Sequence, residues 1–121
     1  KTLLEAGEGK VLLLYFSGPL IFGMAKAIAR EHAAIHRYDH VVIDLTHVPL
    51  IDATALLAIE NGIIYALNAN CQVRIVCKPG KTKQNLTRLD ACANIPEAHF
   101  FTQRADALQD TLTYRPAIEP A

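Results

Sequence analysis

The chain has 121 residues, enough for one domain and too few for two of ordinary size. Its 51% hydrophobic content allows a packed core without metal or disulfide support, and 12 basic residues cancel 12 acidic ones, which excludes the positive footprint of a nucleic-acid binder. Cys71, Cys77 and Cys92 are odd in number and fit no C-x-x-C spacing, so they read as reduced thiols, with Cys77 as a small apolar strand residue.

Apolar runs stop at about six residues, far short of the ~20 that span a bilayer, and no secretory signal pattern is present. A soluble domain is expected. The chain starts at Lys1 rather than Met, which suits a segment of a longer protein.

In chain order, residues 2–6 suit a short edge strand and 7–10 (GEGK) a turn. Residues 10–17 (KVLLLYFS) form a strand that Gly18-Pro19 ends. The connector 19–23 (PLIFG) is unusually apolar. Core filling and a partner-facing surface both account for it, with Leu20, Ile21 and Phe22 as the candidate contact residues. Helical spacing follows over 24–35, with Met24, Ile28 and Ile35 on one face. Residues 40–45 (HVVIDL) read as a strand covered on both faces.

Asp52 is placed to N-cap a helix over 53–68, a bond worth about 1 kcal/mol over alanine. Leu56, Ile59, Ile63 and Leu67 make one apolar stripe on it, and Leu57 and Ile64 make a second. Two stripes suggest a helix that meets the sheet and something else. A third strand covers 72–77 (QVRIVC), and Lys78-Pro79-Gly80 breaks the chain. A more polar helix over 82–93, a short strand at 99–102 (HFFT) and a helix over 105–114 complete the pattern. Residues 1–116 then form the domain and 117–121 a flexible tail. Alternating strands and helices predict an α/β fold: a mixed, mostly parallel sheet of four to five strands with about four helices.

The chemistry-bearing residues are sparse. Gly80-Lys81-Thr82 follows a strand and opens a helix, but Ile75 stands where a Walker A loop needs its first glycine. An anion held at Lys81 and Thr82 stays open, as does a solvated loop. Gly18 and Gly23 do not form G-x-G-x-x-G. Asp44 ends a strand as a phosphoacceptor would, yet Ser17-Gly18-Pro19 occupies the place of the acidic pair that magnesium would need, so Asp44 is expected to bond backbone amides. His32 and His36 are four residues apart without an evident third ligand, and no G-x-S-x-G elbow occurs. No catalytic residue, metal site or cofactor is expected.

One segment points further. The strand at 41–45, a short loop, and Asp52-Ala53-Thr54-Ala55-Leu56 at a helix start resemble the STAS domain family, over about residues 10–112. Ser17-Gly18-Pro19-Leu20-Ile21-Phe22-Gly23 looks like the stretch before the first helix in STAS domains of SulP-type anion transporters. Within that family the run Ala25–His32, Asp44-Leu45 with Val48-Pro49, and 57–61 (LAIEN) are similar to the cyanobacterial sodium-dependent bicarbonate transporters.

The resemblance implies a STAS-like fold and a C-terminal domain at the cytoplasmic face of the plasma membrane, serving regulation and homodimer assembly rather than ion translocation. Its partners would be the transporter's own membrane domain, a second copy and a cytoplasmic regulator. Leu20, Ile21, Phe22, Leu57 and Ile64 are the candidate contacts. A free-standing anti-anti-sigma protein is the alternative, but Ala53 stands where those proteins carry a phosphorylatable serine. A nucleotide-binding sensor at Asp52, Ala53, Thr54, Lys81 and Thr82 is a third reading. Ala55, where the family usually has glycine, is expected to narrow ligand approach to the helix start.

Overall fold

The structure is a computed structural model that describes residues 2–6, 9–21, 26, 30, 35 and 38–113, with side chains from residue 11 to 112. Its centre is a five-stranded sheet in sequential order: β1 (Thr2–Ala6), β2 (Gly9–Ser17), β3 (His40–His47), β4 (Gln72–Val76) and β5 (Phe100–Phe101). β1 pairs antiparallel with β2, from Thr2 opposite Leu13 to Ala6 opposite Gly9. All later pairings are parallel, with Val11 opposite His40, His40 opposite Gln72, and Ile75 opposite Phe100. The α/β fold and the antiparallel edge follow the sequence expectation.

Three helices are described: α1 (Ala53–Asn68), α2 (Lys81–Thr87) and α3 (Arg104–Thr113). The helix expected over 24–35 and the tail at 117–121 lie outside the described residues, although Ile35 itself is buried in the core.

Alternation along the strands sorts their side chains onto two faces. Leu12, Leu14, Val41, Ile43, Leu45, Val73, Ile75 and Cys77 join the larger core with Ala55, Ile59 and Ile63 of α1. Val11, Leu13, Val42 and Val76 point the other way, against Ala107 and Leu108 of α3. Right-handed crossovers between parallel strands laid down in order put their connections on one face. α3 follows the last strand and has no crossover to make, so it covers the opposite face.

α1 begins and ends where its sequence says. Asp52 Oδ1 accepts from the Ala55 amide at 2.8 Å, and Asn70 takes the left-handed conformation (φ 63°) that stops the helix. The next helix differs from expectation. Instead of running over 82–93, α2 stops at Thr87, Leu89 is extended, and a 3-10 turn follows over Asp90–Asn94. The break re-aims Ala91, Cys92 and Ile95 into the core beside Leu86, which one straight helix face could not do. Glu60 of α1 fixes the turn by accepting from the Ala91 amide at 3.2 Å.

Candidate functional site

The parallel strands end together on one side, where ligands of α/β sheets usually gather. β2 is carried past Ser17 by Gly18, whose positive φ of 82° suits glycine and whose amide donates to the His47 carbonyl at 2.9 Å. Leu20 then bonds the Leu50 carbonyl at 3.0 Å, and the Asp52 amide donates back to Leu20 at 2.9 Å. These bonds set the approach to α1.

They also decide the apolar connector. Leu20 is fully buried, so its side chain belongs to the core and not to a contact surface, while Ile21 is 41% exposed. Phe22 lies outside the described residues. Leu57 and Ile64 are exposed on α1, with Tyr65 and Leu50 near them in sequence. The second stripe of the sequence reading is therefore a surface feature. The first divides into buried Ile59 and Ile63 and half-buried Leu56 and Leu67.

The end of β3 holds a polar cluster. Asp44 is buried and its Oδ1 accepts from the Thr46 amide at 2.9 Å and from the Thr46 hydroxyl. Its Oδ2 accepts from Arg104 Nε on α3 at 2.7 Å. Burial pushes the Asp44 carboxyl up, but the Thr46 bonds and the Arg104 guanidinium outweigh it and hold it below its ordinary value. The guanidinium also lies 4.7 Å from the Tyr15 ring centre, and the Tyr15 hydroxyl meets His47 Nδ1 at 2.9 Å. Asp44 is thus a strand-end residue bonded to a backbone amide, as expected, and it also anchors α3.

Beside this cluster opens a crevice of about 440 Å³, lined by residues 45–49 at and just past the end of β3 and by residues 78–82 after β4. Lys81 and Thr82 line it; Asp52, Ala53 and Thr54 do not. The Thr54 hydroxyl donates to Asp52 at 2.9 Å, and Ala53 is exposed. The five residues of the proposed sensor therefore split into a helix cap and a separate crevice wall. Ala55 also departs from expectation: only 1% exposed, its methyl packs into the core and narrows no ligand path. The sequence reading missed His47, Lys78, Arg104 and Tyr15. Strand-end position was the signal available for His47 and Lys78. Arg104 and Tyr15 gave none, because their roles depend on contacts across the sheet.

No group of three His, Cys, Asp or Glu among the described residues could hold a metal ion, and no described helix is long and apolar enough to cross a membrane.

Comparison with known proteins places this geometry. The family model for the STAS domain matches residues 6–107. The bicarbonate transporter BicA of Synechocystis sp. is 45% identical over 112 residues, which is 93% of this chain and 20% of the relative. The chain thus spans about a fifth of that curated relative's length. Among solved structures, the SulP transporter STAS domain from Vibrio cholerae superposes with a TM-score of 0.70 at 21% identity, covering 85% of this chain and 81% of that one. An anti-sigma factor antagonist from Mycobacterium paratuberculosis gives 0.68 at 20% identity, covering 90% and 92%. At those identities the structures share the fold alone. With a family model matching most of its length, the chain belongs to the STAS domain family.

Proposed function

We propose that this chain is the cytoplasmic STAS domain of a bicarbonate transporter of the SulP kind, and that it serves regulation and homodimer assembly rather than ion passage. The carrying observation is the 45% identity to a bicarbonate transporter across 93% of the chain, more than twice the identity to either solved structure above. A transporter holds its ion near the bilayer midplane between membrane helices, so a domain of this architecture would act from outside the path.

The outward face of α1 supports assembly with a second copy. Glu60 is the only charged residue in the helix, and it is tied to the Ala91 amide. The exposed positions Thr54, Leu57, Asn61, Ile64, Tyr65 and Asn68 are all uncharged. Such a face meets a copy of itself without charge repulsion and with apolar area to bury.

Two measurements test the reading. Cells lacking their own bicarbonate uptake, given the full reading frame that contains this chain, should accumulate labelled bicarbonate; no uptake above background defeats the transport assignment. Analytical ultracentrifugation of the 121-residue chain should show a dimer, and a monomer at high concentration defeats the assembly role.

The free-standing antagonist reading rests on fold alone. Ala53 has no hydroxyl to phosphorylate, and the neighbouring Thr54 hydroxyl is engaged by Asp52. A kinase-driven switch at this helix start has no supporting residue.

A further inference from the structure

We infer that α3 is a proton-operated latch: protonation of His40 releases its C-terminal half from the sheet while β2, β3 and β4 stay paired. His40, Arg74 and Asp110 form a chain across three elements. Arg74 of β4 is fully buried and donates from Nε to Asp110 of α3 at 2.8 Å, and its Nη1 meets His40 Nδ1 of β3 at 2.9 Å. A guanidinium has only donors, so Nδ1 is the acceptor and the bond lasts only while the ring is neutral. A proton on Nδ1 removes that acceptor. It also sets a second positive charge against the guanidinium in a buried place, where the cost of like charges is high.

Among the described side chains, the charged and titratable groups that face His40 come from four places. β4 presents Arg74, α3 presents Asp110, the 3-10 turn before β5 presents His99, and Asp39 stands just before His40 in the chain. β2 presents the uncharged Val11 opposite His40. Asp39 is exposed, so water screens its charge, and Asp110 already serves Arg74. His99 donates from Nδ1 to the Val73 carbonyl at 3.0 Å, so its own protonation at Nε2 keeps that bond and adds positive charge to the same group. Burial and then the Arg74 charge lower the His40 pKa, as expected where the closed arrangement resists the proton.

Of the elements around this chain of bonds, α3 is the one whose departure breaks no strand pairing. β3 and β4 are paired on both sides, and α3 follows the last strand. Its apolar seat is small: Val11, Leu13, Val42 and Val76 of the sheet, met by Ala107 and Leu108. Two ion pairs flank that seat, Arg104 to Asp44 at one end and Asp110 to Arg74 at the other. Undoing the second lets the end of α3 swing away while the first holds. Water then reaches His40 and Arg74, and the Val11 end of the apolar strip is bared. The larger core under α1 lies on the other face of the sheet and is not disturbed. The latch is independent of the transporter reading, because every group in it belongs to the 121-residue chain.

Hydrogen exchange of the chain, read by mass spectrometry at about pH 7.5 and about pH 5.5 and corrected for the intrinsic pH dependence of exchange, tests it. Protection of the amides of residues 108–113 should fall about tenfold between the two, the factor given by one pH unit below the ordinary histidine value when the closed state resists the proton. Amides of β3 and β4 should keep their protection. In His40→Gln, whose amide oxygen can accept from Arg74 and does not titrate, the α3 amides should stay protected at both pH values. Asp110→Asn, at a side chain 39% exposed, should lower their protection already at the higher pH and leave little further change at the lower. Constant protection of α3 in the parent chain overturns the latch, as does a pH response that survives in His40→Gln or in Asp110→Asn. An equal loss of protection in α3, β3 and β4 overturns it too, since that is unfolding of the whole domain.

Discussion

Arg104 and Asp44 lie sixty positions apart in the chain and join at 2.7 Å, Nε to Oδ2, across the interface between α3 and the sheet. The two partners are unequal. Asp44 is almost fully buried, with 2% side-chain exposure, while Arg104 keeps 41%. Losing the arginine therefore strands a buried carboxylate, whereas losing the carboxylate leaves a cation that water can reach. Arg104→Ala should cost about 2–3 kcal/mol and Asp44→Asn about 1–2 kcal/mol, read from urea unfolding. Equal losses, or none, would contradict the asymmetry.

Asp44 also sets an acid limit. Its folded carboxyl titrates below its ordinary value, so its stabilising contribution is complete above the unfolded pKa of about 4 and is lost as pH falls through the lower folded value. Unfolding free energy of the parent chain should drop steeply below about pH 4, and the slope there should be shallower for Asp44→Asn.

A second pH effect comes from the other end of α3. Arg74 is fully buried, donates from Nε to Asp110 at 2.8 Å and meets His40 Nδ1 at 2.9 Å. A guanidinium only donates, so His40 Nδ1 accepts and the ring is neutral there. Burial first, and then the Arg74 charge, lower the His40 pKa; the same two causes lower that of His99, whose Nδ1 donates to the Val73 carbonyl at 3.0 Å. Lowered histidines favour the fold above the unfolded pKa of about 6.5, and that contribution declines as pH falls below it. Stability should therefore decrease from about pH 7 toward pH 5, and His40→Gln should flatten the decline. A pH-independent melting temperature across that window in the parent chain would refute the assignment.

The cysteines should be inert in the native state. Burial pushes the Cys71 thiol up to about 12 and the Cys92 thiol up to about 11, and raises Cys77 as well. Almost no thiolate exists at pH 8, and all three sulfurs lie in the core. Ellman's reagent should titrate no thiol in the folded chain and three in denaturant. Rapid labelling of any one in the native chain would contradict its burial.

The α1 face gives a prediction that separates assembly from folding. Leu57→Asp with Ile64→Asp alters two exposed side chains, so the melting temperature should change little while the sedimenting mass falls from dimer to monomer. Ile63→Ala, on the opposite face and fully buried, should instead cost about 2–5 kcal/mol. An unchanged dimer in the double variant would assign the interface elsewhere.

The sequence by itself determined those features whose causes are local. The bounds of α1 follow from an Asp52 cap and an Asn70 stop, both of which act within a turn of the helix end. Strands β2, β3 and β4 announce themselves as short aliphatic runs, because burial on both faces leaves little room for polar residues. The Asp52–Leu56 stretch carried the family likeness for the same reason: cap, small residues and a half-buried leucine sit side by side.

Only the tertiary structure decided the rest. Leu20 and Ile21 are adjacent and equally apolar, yet pairing with the 50–52 segment buries one and exposes the other. The break between α2 and the following 3-10 turn answers to Glu60 and to the core space beneath Ala91 and Cys92. Arg74 reads as a polar interruption of a strand until Asp110, 36 residues on, folds back over it. The crevice is assembled from the end of β3 and the segment after β4, joined by a bond between Thr82 and Val48. Each depends on which distant segments meet, and contacts between distant segments leave no periodicity in the chain for a local pattern to reveal.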